Sequence, residues 1–186
     1  MIIGMNKLVL FDIDGTLVAG AHGHAEAFAI AFKEVYVVNA SIYMINPNGM
    51  TDQEIILAVM KKAGVEESLI EARIHDCMGA MVTYFKSIQP MLTVKLLPGV
   101  EAFLAALKTK GYLMGLVTGN LEPIGRAKME IVGLGDYFSV GGFGSDATAS
   151  NLSPNLPKTP SSAFSSTSRG LGDWTDGSVV SFGLFV

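Results

Sequence analysis

Two periods of apolar residues alternate along this chain, and they predict different elements. Leu8 to Phe11 is an unbroken apolar run, short enough to be a strand buried on both faces of a parallel sheet. From His22 to Tyr36 the apolar positions Ala25, Phe28, Ala29, Phe32 and Val35 recur at helical spacing. After an Asn-Pro-Asn-Gly turn at 46–49, a helix is expected with Thr51 or Asp52 as its N-cap and Gly64 closing it. Its apolar face carries Ile55, Ile56, Val59 and Met60. Another helix starts near Glu66 and runs towards Ile88, ahead of Pro90. Leu97-Pro98-Gly99 opens a further helix that stops at Gly111. Tyr112 to Val117 reads as a second strand, Pro123 to Val132 as a helix and Tyr137 to Phe143 as a third strand. Strand, helical insertion, helix, strand, helix, strand is an α/β order, and it implies a parallel sheet.

Composition narrows the picture without changing it. A length of 186 residues suits one domain, or one domain with a smaller insertion. With 49% hydrophobic residues a packed core is well supplied. A net charge of −4 without a Lys/Arg cluster argues against a nucleic-acid partner. Mean hydropathy is +0.42, yet no run reaches the ~18 apolar residues of a membrane span. A single cysteine, Cys77, excludes an internal disulfide and suits a reducing compartment. Together with the lack of a signal-peptide pattern in MIIGMNK, this gives a cytoplasmic expectation.

Chemistry enters at the end of the first strand. Asp12 and Asp14 flank Ile13 and are followed by Gly-Thr-Leu. Two like charges this close repel, so either the strand end is simply solvated or a cation is meant to sit there. In an extended segment the two acids face the same way and can address one site. Ligands in open parallel sheets bind beyond the carboxyl ends of the strands. The second strand delivers Thr118, Gly119 and Asn120 to that same edge. Carboxylates suit a hard cation such as Mg²⁺, and a hydroxyl on a glycine turn suits phosphate. One Asp can then act as nucleophile and the other as proton carrier. His22 and His24 begin a helix near this rim and could touch substrate, although surface or interface packing is the favoured reading. His75, Cys77 and the ten methionines are read as packing, and Lys33, Lys61, Lys62 and Lys86 as solvated.

DIDGTL at 12–17 and VTGN at 117–120 resemble motifs one and two of the haloacid dehalogenase-like hydrolases. GMTD at 49–52 and LLPGV at 96–100 resemble the phosphoglycolate phosphatase-like and phosphomutase-like members, over roughly residues 5–146. The resemblance implies a Rossmann-like core of residues 1–17 and 95–186 with an α-helical cap at 18–94 that selects the substrate. It implies that Asp12 attacks phosphorus to form an aspartyl-phosphate, and that Asp14 protonates the leaving group and then activates water. Mg²⁺ would bind Asp12 and the Asp14 main-chain carbonyl, with phosphate on Thr118, Gly119 and Asn120. The implied activity is Mg²⁺-dependent hydrolysis of a small phosphorylated metabolite. A phosphomutase, or a non-catalytic phosphate-binding remnant, are the alternatives.

The pattern breaks after Asp146. Residues 147–186 hold 9 of the 14 serines but only 4 of the 30 charged residues, with no Glu after Glu130 and no Met after Met129. The resemblance calls for a third-motif Lys and fourth-motif acids here, and so implies a core incomplete at its C-terminal end. Lys158 superficially fits the first; Asp173 and Asp176 tempt for the second, but they precede the apolar stretch SVVSFGLFV rather than follow it. A frameshift is one account of this tail. In the other, the tail evolved as it stands and residues 178–186 pair against the Asp12 strand, or against a partner chain. An exposed edge on that strand leaves a homodimer open.

Overall fold

The computed structural model describes residues 7–20, 22–146 and 180–182. Lys158, Asp173 and Asp176 lie outside the described residues. Strand β1 (Leu8–Phe11) pairs in parallel with β4 (Leu113–Thr118), which pairs in parallel with β5 (Val140–Phe143). On its other side β1 pairs in parallel with β6 (Val180–Phe182), with Phe11 level with Phe182. The sheet order is therefore β5-β4-β1-β6. Of the segment expected to join the sheet, residues 180–182 do so, and they occupy the edge of β1 that carried the dimer expectation. The four residues after Phe182, Gly-Leu-Phe-Val, include no Asp or Glu.

A second layer is helical. Helices α1 (His22–Tyr36), α2 (Asp52–Lys62) and α3 (Glu67–Ile88) form between the first strand and the rest of the sheet. Thr51 caps α2 in a reciprocal capping box with Glu54, which satisfies two otherwise orphan N–H groups. Phe28, Phe32, Ile56, Met60, Ile70, Ile74, Met81 and Phe85 are buried together in this layer. The chain leaves and re-enters the sheet layer through a two-strand antiparallel ribbon, β2 (Val18–Ala19) with β3 (Lys95–Leu96), which the apolar pattern did not predict. Two residues per strand are too few to show a period.

Helices α4 (Val100–Thr109) and α5 (Glu122–Ile131) complete the sheet layer. Phe11, Ile13, Leu17, Leu104, Leu116, Met129 and Phe138 form its core. Helix α5 is shared between the layers: Leu121, at its N-cap, together with Ile124 and Ala127, packs into the helical cluster, while Met129 packs into the sheet cluster. Residues 135–137 form a 3-10 turn, so the third strand starts at Val140, later than expected. Cys77 is fully buried as expected, and burial pushes its thiol up to about 12. His75 is exposed, against the packing expectation.

Candidate active site

The carboxyl ends of β1 and β4 carry the site. After Phe11 the chain turns sharply. Gly15 adopts a positive φ of 77°, and the N–H groups of Leu17 and Val18 both donate to the Ile13 carbonyl, at 2.9 and 3.1 Å. That turn buries Ile13 completely and leaves Asp12 and Asp14 on the opposite side, as the alternation predicted. Asp14 sits at the mouth with its side chain 47% exposed, while Asp12 lies deeper.

The loop after β4 closes on the same place. The Thr118 hydroxyl accepts from Asn120 Nδ2 at 2.6 Å and from the Asn120 N–H at 3.3 Å. Asn120 Nδ2 also donates to Asp14 Oδ2 at 2.8 Å. Three of the predicted residues, Asp14, Thr118 and Asn120, are thus joined in one network. Gly119 contributes differently: its carbonyl accepts from the Asp52 N–H of α2 at 2.8 Å. A Cβ at Gly119 would lie 2.5 Å from the Met50 carbonyl oxygen, so only glycine lets the backbones approach this closely.

The central cation is Lys128, which the sequence reading passed over. Its Nζ donates to Asp14 Oδ2 at 2.7 Å and Oδ1 at 2.9 Å, and to Asn120 Oδ1 at 2.8 Å. It also lies 3.3 Å from His24 Nδ1. The side chain is 1% exposed, and a buried ammonium is tolerable only with such a full set of partners. A lysine offers donors alone, so His24 Nδ1 faces it as an acceptor and Nε2 is left to face Asp52 Oδ2 at 3.1 Å. Asp52 Oδ2 accepts the Leu121 N–H as well, at 2.8 Å. His24 therefore sits at an interface, as one of the two packing readings had it, and not on the surface. It links α1, α2 and α5.

A signal for Lys128 and His24 was present in the sequence. Leu121, Ile124 and Lys128 share one helical face, as do His24, Phe28 and Phe32. A titratable group standing at an apolar position is the informative kind of buried residue. Asp52 gave no such signal, because an acid in the first turn of a helix is ordinary.

The two carboxyl groups have opposite electrostatics. Burial pushes the Asp12 carboxyl up to about 6, and the Asp14 charge adds to this; hydrogen bonds from the Ile13 backbone and the Thr118 hydroxyl, and the Lys128 charge, only partly offset them. For Asp14 burial also acts upward, but the Lys128 charge and hydrogen bond, with the hydrogen bond from Asn120, outweigh it and hold the carboxyl below its ordinary value. At rest, therefore, Asp14 is the more readily ionised of the two carboxyls.

A family model described as haloacid dehalogenase-like hydrolase matches residues 9–151, which include every site residue named above. The chain belongs to the haloacid dehalogenase-like hydrolases. It is 29% identical over 139 residues to the phosphoglycolate phosphatase of Aquifex aeolicus (strain VF5), covering 72% of this chain and 59% of that one. It is 27% identical over 136 residues to the probable phosphatase IndB of Dickeya dadantii (strain 3937), covering 73% and 58%. The chain thus spans less than two thirds of the length of these relatives. Among solved structures, the phosphate complex of CbbY from Rhodobacter sphaeroides shares its fold, with a TM-score of 0.58 at 21% identity over 77% of this chain and 65% of that one. The parallel α/β sheet expected from the strand and helix order, and the haloacid dehalogenase-like fold implied by the motif resemblance, are therefore the observed ones.

Among the described residues no group of three or more His, Cys, Asp or Glu gathers as a metal cage. Asp12 and the Asp14 main chain still offer two hard oxygens at one edge, and burial outweighs the partners Asp12 has. That donor set fits Mg²⁺, which keeps several waters and often takes only one or two carboxylates besides substrate phosphate.

Proposed function

We propose that the chain is a phosphatase for small phosphorylated metabolites, using Asp12 as nucleophile and Asp14 as proton carrier. The observation that carries this reading is the convergence of Asp12, Asp14, Thr118, Asn120 and one buried ammonium at the carboxyl edge of a parallel sheet. An Asp12 oxygen attacks phosphorus, the bond to the leaving oxygen breaks, and a proton from Asp14 goes to that oxygen. Asp14 then takes a proton from water, whose oxygen attacks the aspartyl-phosphate and releases phosphate from Asp12. Thr118 orients the phosphoryl oxygens, and the Asn120 side chain holds Thr118, Asp14 and Lys128 in register around them. A divalent cation, read as Mg²⁺ on Asp12 and the Asp14 main-chain carbonyl, supplies neutralisation of those oxygens when bound.

Lys128 takes the charge-balancing role for which Lys158 was the sequence candidate. At rest it keeps Asp14 ionised. A phosphoryl group drawing on the same ammonium weakens that hold, which returns Asp14 towards carrying a proton. Residues 18–94 are read as the cap and 1–17 with 95–186 as the core, supported by the ribbon whose strands meet at Val18 and Lys95–Leu96. The one buried thiol is consistent with a cytoplasmic enzyme, and no described helix is long and apolar enough to cross a membrane.

The test is hydrolysis of an aryl phosphate with and without Mg²⁺. Metal-dependent turnover that Asp12→Asn abolishes is the expected result. A folded wild-type protein with no turnover of it or of a panel of phosphorylated metabolites, with Mg²⁺ present, would refute the reading.

A further inference from the structure

Lys128 cannot hold its place alone. Its ammonium has three protons and four polar neighbours, and one of those neighbours comes from α1 rather than from the sheet layer. His24 is 15% exposed and ring-packed against Phe28 and Phe85, with centroids 5.2 and 6.2 Å away. Asp52, 4% exposed, is fixed at both ends: its N–H donates to the Gly119 carbonyl and its carboxylate accepts the Leu121 N–H. The next residue, Gln53, donates from Nε2 to the Gly144 carbonyl at 2.8 Å. Helix α2 is therefore pinned to the loops after β4 and β5 by buried polar bonds. The side chain of its first residue then aims the His24 ring.

We propose that His24 and Asp52 are positioning residues for phosphoryl transfer: as the helical layer's half of the chain Asp52–His24–Lys128–Asp14, they aim the Lys128 ammonium, so the site is assembled only when α1 and α2 are docked. The inference rests on the phosphatase reading. It deepens that reading by assigning cap residues a part in charge balance, besides any part in substrate choice. The chemistry is economical. Without His24 the ammonium would keep only its Asp14 and Asn120 partners; a further acceptor from α1 fixes where the charge stands relative to an arriving phosphoryl group. Asp52 does for His24 what an orienting carboxylate commonly does for an imidazole, holding the tautomer that leaves Nδ1 as acceptor.

A double-mutant cycle on the full chain tests this, reading aryl phosphate turnover and, by calorimetry, the affinity for inorganic phosphate. His24→Phe keeps the ring packing and removes both nitrogens. It should lower kcat/KM about ten- to hundredfold, the scale of one hydrogen bond to a charged group, and weaken phosphate binding alongside. In a Lys128→Met or Lys128→Gln background the same change should cost less than about twofold, because the group it acts through is gone. His24→Asn, which restores an acceptor near the Nδ1 position, should recover part of the loss. Independent, multiplying losses, or His24→Asn no better than His24→Phe, would overturn the positioning role while leaving the phosphatase standing. A wild-type protein that neither binds phosphate nor turns over the ester would overturn the phosphatase reading, and this inference with it.

Discussion

Asp12 and Asp14 lie two residues apart, yet their neutralisation should move stability in opposite directions. The Asp12 carboxyl rises from 3.8 to about 6 on folding, chiefly because burial penalises its charge. A raised carboxyl pKa means that the folded state holds the proton more tightly than the unfolded state. Its contribution is fully present below 3.8 and is lost as pH rises through about 6. About two pKa units correspond to about 3 kcal/mol at pH 8. Asn cannot ionise, so Asp12→Asn escapes that cost, less the hydrogen bonds from Ile13 and Thr118 that favour the carboxylate. A net gain of about 1–3 kcal/mol is expected at pH 8, or about 3–10 °C in Tm for a chain of this size, fading to nothing near pH 4. Asp14 behaves the other way. Lys128 holds its pKa down, so its contribution is present at neutral pH and lost as pH falls through the folded value. Asp14→Asn should therefore lower stability at pH 8, and the half-exposed side chain keeps that loss modest. Urea unfolding of the wild type and both variants, from pH 4 to 8 in chelator, measures all of this. Parallel curves for wild type and Asp12→Asn, or a less stable Asp12→Asn at pH 8, would show that Asp12 is well compensated and would refute the argument.

Two further outcomes follow from packing. A Cβ at Gly144 would lie 2.0 Å from the Gly119 carbonyl oxygen, so Gly144→Ala should cost about 1–3 kcal/mol by prising the two loops apart, whereas Gly79→Ala, in an open position on α3, should gain about 0.5–1 kcal/mol; thermal melts of the pair decide it. Cys77 is buried with its thiol pushed up to about 12, so a thiol reagent should label it only when urea unfolds the helical layer, and prompt labelling of the native protein would contradict its placement.

The helices were legible because their signals were local. His22–Tyr36 was read to the residue, and the N-cap of α2, read as Thr51 or Asp52, is Thr51. The acids at 12 and 14 and the hydroxyl at 118 were legible because two strand ends in a parallel sheet have one place to meet. Lys128 was not, because the reading followed the family's expectation of a lysine after the third strand and so looked towards residue 158. What placed Lys128 in the site is long-range packing. Helix α5 serves two cores at once, and a polar residue on it at the seam between them is delivered to the sheet edge without any motif around it.

That seam is also why the site holds together. Burying an ammonium costs several kcal/mol unless its partners are complete, and here they come from three separate pieces of chain: the turn after β1, the loop after β4 and helix α1. Residues of the sheet layer and the helical layer thus satisfy one another at Lys128, and loosening either layer leaves it underpaired. The docked arrangement is consequently favoured by the same charge that chemistry would use. A phosphoryl group, which offers that ammonium new oxygen acceptors, could replace partners within the network without leaving the lysine bare. On the proposed reading, a site built this way need not rely on a lysine from residues 147–186. The part of the chain that matches the family carries its own cation.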